Sequence, residues 1–218
     1  HASGNFQAMH IQIIKSGKFG FFIMLLILLP LCGNIDYVLG LWLVDVPAHT
    51  ANFVVLVLLY SLLDGILTPI AIGVFAQGEI KAYEIALCII YAVNFIASYV
   101  CLKLGMAPET VFVLNIAFKA CVLADLLVHS KAKYAFPVHA FLKQCLLPSA
   151  VVFVLSGAFT YFMPWEAPNS FWEFLLHTLA IIICTSLMAL AIGMTKGERL
   201  FLKKNLRDKI TVKLYRKI

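Results

Sequence analysis

Apolar residues in this chain gather in long runs, not in the short alternating stretches that mark half-buried strands. Runs with few or no charges cover residues 19–33, 51–76, 80–104, 109–128, 143–163 and 171–194. A bilayer core about 30 Å thick needs about 20 helical residues, so these runs read as membrane spans. The first is the shortest, with Pro30 near its end and Gly33-Asn34 after it. Residues 37–43 (YVLGLWL) predict a short interfacial helix with Tyr37 and Trp42 at headgroup depth. Pro69 and Pro148 fall inside the second and fifth runs, where each frees a carbonyl and predicts a kink. The expected fold is all-α, a polytopic transmembrane bundle of six spans.

Both ends carry a different pattern. Phe6, Met9 and Ile13 recur at helical spacing, so residues 5–15 predict a surface helix ahead of the first span. In the tail, Leu202, Leu206, Ile210, Leu214 and Ile218 repeat every four residues, with Lys203, Lys204, Arg207 and Lys209 among the positions between. A basic amphipathic helix lying on anionic lipid headgroups fits that pattern, and those four residues are candidate membrane-surface contacts. Three segments result: an interfacial stretch over 1–18, the bundle over 19–194 and a basic amphipathic tail over 195–218.

Composition agrees. The chain has 218 residues, 62% apolar and only 13% charged, against about half and about a quarter in soluble domains. Such a chain cannot hide its apolar surface in one globular core, which argues against a soluble enzyme or a nucleic-acid binder. The six cysteines lie singly in or beside apolar runs without metal or disulfide spacing, and read as reduced. No metal or cofactor is expected.

Charge sets the direction. If the N-terminus is cytoplasmic, 15 of the 17 Lys and Arg residues fall on the inside, nine of them after Gly193. Only Lys103 lies outside, and Lys119 lies within a span. The positive-inside rule therefore predicts that both termini are cytoplasmic.

Loops at 77–79, 105–108, 129–142 and 164–170 are too short to fold a soluble active site, and no hydrolase, zinc or P-loop motif is present. The informative residues are charges inside spans. Asp64 and Lys119 both fall near mid-depth, where an ionised group costs at least about 2.5–3.5 kcal/mol, so both should face protein or water. Two readings stand. Either the pair only holds helices together, or Lys119 meets an anionic substrate group with Asp64 as its resting counter-ion. Asn94 adds polar capacity in the third span and is a further candidate substrate contact.

Several turns carry short motifs: Leu41-Trp42-Leu43 with Val46-Pro47, Thr68-Pro69, and Gln77-Gly78-Glu79-Ile80-Lys81-Ala82-Tyr83. Further on stand Ser98-Tyr99, Leu102-Lys103-Leu104-Gly105, Pro108-Glu109, and finally Gly193-Met194-Thr195 with Glu198-Arg199. The opening Ala2-Ser3-Gly4 completes the series, with Asn5 in an acidic place and His1 where Tyr is common. In this order, over essentially the whole chain, they resemble the C-terminal half of bacterial O-antigen and capsular polysaccharide flippases. These belong to the multidrug/oligosaccharidyl-lipid/polysaccharide exporter superfamily.

That resemblance implies several things. The six spans would be the last six of a two-lobed transporter whose N-terminal lobe is a partner supplied by the same protein. The substrate would be a polyprenyl-diphosphate-linked oligosaccharide, flipped across the bacterial inner membrane without covalent chemistry, so the protein would not be an enzyme. Lys119 matches no motif of that family, and its role rests on its position alone. The alternatives are a drug or cation antiporter of the same superfamily, which calls for an acidic cavity, and a membrane enzyme acting on polyprenyl-linked sugars. A purely structural membrane subunit is a third.

Overall fold

The computed structural model describes residues 6–78, 80–163, 168–195 and 197–200. Helix is the only regular structure among them: α1 (Phe6–Gly33), α2 (Ile35–Gly40), α3 (Thr50–Ala76), α4 (Ile80–Lys103), α5 (Thr110–Tyr134), α6 (Val138–Phe162) and α7 (Phe171–Gly193). All except the short α2 are long and apolar enough to cross a membrane, which makes this a multi-pass membrane protein. Their limits match the apolar runs closely, except that α1 begins well ahead of residue 19, α5 continues well past residue 128 and α6 starts ahead of residue 143. Lys131 and Lys133 in the last turn of α5 suit the negative end of its dipole, and Ala135 at φ 51° stops it.

The beginning of the chain departs from expectation. Residues from Phe6 onward are not a separate surface helix but the first turns of α1, whose 28 residues rise about 42 Å. Ile13 and Ile14 are buried, and the His10 ring packs 5.5 Å from Phe136 and 5.7 Å from Tyr134. Protein covers Ile13 and Ile14 in this stretch, while Phe6 and Ile11 remain exposed. A short helix does follow α1, but over Ile35–Gly40 and not 37–43, so that Leu41, Trp42 and Leu43 lie beyond it; Tyr37 stacks on Phe174 of α7 at 5.1 Å.

α1 is the hub of the bundle. Its most apolar stretch is 44% buried, against 11% for α4, which lies at the edge. α4 packs on α5, α5 on α3, α3 on α1, and α1 on α6 and α7. The α1–α3 crossing depends on two glycines. A Cβ on Gly20 would lie 3.0 Å from the Gly65 carbonyl oxygen, and one on Gly65 would lie 3.1 Å from the Gly20 carbonyl carbon. Small residues let membrane helices approach backbone to backbone. The Gly65 carbonyl is also the one deprived of its helical donor by Pro69, four residues on, so the proline leaves an acceptor facing Gly20. Ahead of Pro148 the chain widens into a π turn over Leu142–Leu146, since the proline offers no N–H to the preceding turn.

α1 begins and α7 ends on the same side of the bundle, called the tail face below. The connections after α1 and α4 lie on the far face, as do the end of α6 and the start of α7.

Candidate functional site

Helical spacing builds a polar cluster at mid-height. Tyr60 and Asp64 are four residues apart on α3 and share one of its faces. Opposite them, Lys119 of α5 donates from Nζ to Asp64 Oδ1 at 2.5 Å, and the same ammonium sits 4.3 Å from the centre of the Tyr60 ring. A cation over an aromatic face gains electrostatic attraction that grows as water is excluded. The Tyr91 side chain of α4 lies close to that of Tyr60, so three helices contribute. The pair is lopsided: the Lys119 side chain is 8% exposed and that of Asp64 is 42% exposed.

Asn94 does not touch this pair. Its Nδ2 donates to Asn115 Oδ1 at 2.5 Å, and its own Oδ1 accepts from Ser98 at 3.4 Å. Asn115 stands one turn from Lys119 on α5, so Asn94 extends the polar seam between α4 and α5 toward the far face. Tyr60, Tyr91 and Asn115 were not singled out from the sequence. The signal for two of them was present, since Tyr60 precedes Asp64 and Asn115 precedes Lys119 by four residues. The four tail candidates, Lys203, Lys204, Arg207 and Lys209, lie outside the described residues.

Beside the cluster, α5 and α6 stand apart and leave an apolar crevice floored by α3. Two adjoining cavities of about 360 and 240 Å³ share Leu63, Ile66, Ile116 and Leu146 as walls, and Lys119 lines the larger. The site thus offers one buried cation, a half-exposed carboxylate, two phenol hydroxyls and an apolar wall. It can hold an anionic or hydroxyl-rich group next to hydrocarbon. No cluster of three or more metal-ligating side chains occurs among the described residues.

A second contact ties α3 to α5 at the far face. Glu109, just before α5, accepts from Asn52 Nδ2 at 3.0 Å and lies against His49 Nδ1. The Asn52 amide, its own backbone N–H and His49 together hold its carboxyl down at about 2. A carboxyl lowered in this way stabilises the folded state fully above its unfolded value of about 4.3 and loses that contribution progressively as pH falls from there through its lowered one. Amide exchange protection in the first turns of α3 and α5 should therefore be the same at about pH 7 and about pH 4.5, after correction for intrinsic rates. In Glu109→Ala it should drop at both.

The chain has no match among protein-family models, curated proteins or solved structures.

Proposed function

We propose that this chain forms the last six spans of a flippase that moves polyprenyl-diphosphate-linked oligosaccharide across a bacterial inner membrane, for O-antigen, capsule or exopolysaccharide assembly. The observation that carries this reading is Lys119, a buried mid-membrane cation whose counter-ion is only half-covered and which borders an apolar crevice. A diphosphate can exchange with the Asp64 carboxylate on Lys119, since a phosphate oxygen accepts from an ammonium as a carboxylate oxygen does. Tyr60 and Tyr91 offer hydroxyls to sugar, and the prenyl chain remains in apolar surroundings. The ordered turn motifs from Leu41 to Arg199 support the same assignment.

Deleting the gene from its source strain tests this directly. Complete lipid-linked oligosaccharide should accumulate on the cytoplasmic leaflet while surface glycan disappears. An incomplete glycan would instead indicate an enzyme of its assembly and overturn the proposal.

The reading also places both termini in the cytoplasm, as the distribution of Lys and Arg requires. Single cysteines at Asp45 and Asn169, both exposed on the far face, should react with an impermeant thiol reagent added to intact cells. One at Lys131, exposed on the tail face, should not. Labelling of position 131 alone would invert the topology.

A further inference from the structure

A second buried ion pair lies away from the mid-membrane cluster. Lys18 of α1 is 1% exposed, and its Nζ donates to Glu198 Oε2 at 2.6 Å across 180 residues of chain. Glu198 belongs to the turn that follows α7. Its Oε2 also accepts the Thr195 N–H at 2.7 Å, and its own N–H donates to Thr195 Oγ1 at 3.4 Å. This reciprocal pattern is a capping box, which starts a new helix. Arg199 reaches back and donates to the Ala191 and Met194 carbonyls at 2.5 and 3.0 Å, closing the end of α7. Burial alone would raise the Glu198 carboxyl, but Lys18 and the Thr195 N–H overcome that and hold it below the ordinary carboxylate range.

The backbone of this joint is irregular. α7 ends in a π turn over Ala189–Gly193, and Met194 then runs extended (φ −104°, ψ 139°) before the capping box. Gly193 sits directly under the Phe22 ring of α1, where any Cβ would overlap it. The other π turn, Leu142–Leu146, borders the same place through Cys145, which is fully buried. Its Sγ lies 3.6 Å from the position of a Cβ on Gly17, the neighbour of Lys18. A buried ion pair is a poor static fastener, because well-packed apolar residues hold as firmly, whereas separating the partners strands a charge. π turns, in turn, concentrate where helices do work.

We propose that Lys18 and Glu198 form a latch: the segment carrying Thr195 and Glu198 docks on α1 through this pair and undocks as a unit, opening the tail face between α1, α6 and α7 and uncovering Cys145. The latch is independent of what the protein carries.

Cys145 supplies the test. In the full chain, reconstituted in lipid with the other five cysteines replaced by alanine, the rate of Cys145 alkylation by N-ethylmaleimide reports how often the latch opens. Glu198→Gln keeps an acceptor for Thr195 but strands the Lys18 charge, and should speed labelling at least about tenfold. Adding Lys18→Met removes the stranded charge and should return the rate toward that of the parent. A rate unchanged in Glu198→Gln, or equally fast in the double variant, would overturn the latch. If Glu198→Gln does not accumulate, Glu198→Asp retains charge on a shorter arm and should give an intermediate rate, with an unchanged rate counting against the proposal. A separate cysteine at Val152, also buried on α6, must stay shielded throughout, since labelling there would mean general unfolding instead of an undocked segment.

Discussion

Lys119→Met should abolish surface polysaccharide, and adding Asp64→Leu should restore the fold without restoring transport. Breaking a buried ion pair from one side costs about 3–5 kcal/mol, while replacing both partners by apolar residues is close to neutral. The two sides differ in this protein. Asp64→Leu strands an ammonium that is 8% exposed and should come near the lower end of that range. Lys119→Met leaves a carboxylate that is 42% exposed, so its effect on stability should be clearly smaller. Lys119→Arg should retain part of the activity, because a guanidinium also meets phosphate but with a different geometry. The measurements are thermal stability of the purified variants and surface glycan in a complemented deletion strain, normalised to membrane protein level. Wild-type glycan from a folded double variant would leave the pair a purely structural role.

Gly65→Val should prevent the protein from accumulating in folded form. Overpacking a core typically costs about 1–3 kcal/mol where side chains can move aside. Here the obstacles are the Gly20 carbonyl carbon at 3.1 Å and the Phe21 nitrogen at 3.2 Å, both backbone, so α1 itself would have to shift. Gly157→Ala is the control, because a Cβ there meets nothing within 4 Å. Membrane yield and size-exclusion profile in detergent check both variants.

The spans were legible because run length is a property of the sequence alone, and α3, α4 and α7 begin and end where hydropathy changes. Asp64 and Lys119 were legible for the opposite reason: a charge in hydrocarbon is too costly to be accidental. What could not be read depends on packing between distant segments. Lys18 stands beside Lys15 at the edge of an apolar run and reads as one more surface charge, yet it is buried against a residue near the other end of the chain. The amphipathic stretch ending at residue 15 signals only that one side needs cover. Whether lipid or the α3–α5 surface supplies it is decided by tertiary structure. Tyr60 and Tyr91 look like ordinary aromatic residues of a span until three helices bring their side chains together.

The exposure of Asp64 also fixes a bearing for the whole bundle within the plane of the membrane. A carboxylate left 42% uncovered halfway along α3 cannot be turned toward acyl chains, whereas Ile89, Phe95 and Ile96 of α4 can. The azimuth of the bundle about the membrane normal is therefore set by one residue: the Asp64 flank is the side along which water enters or further polypeptide lies. Any larger assembly built on these six helices has its direction of growth constrained accordingly.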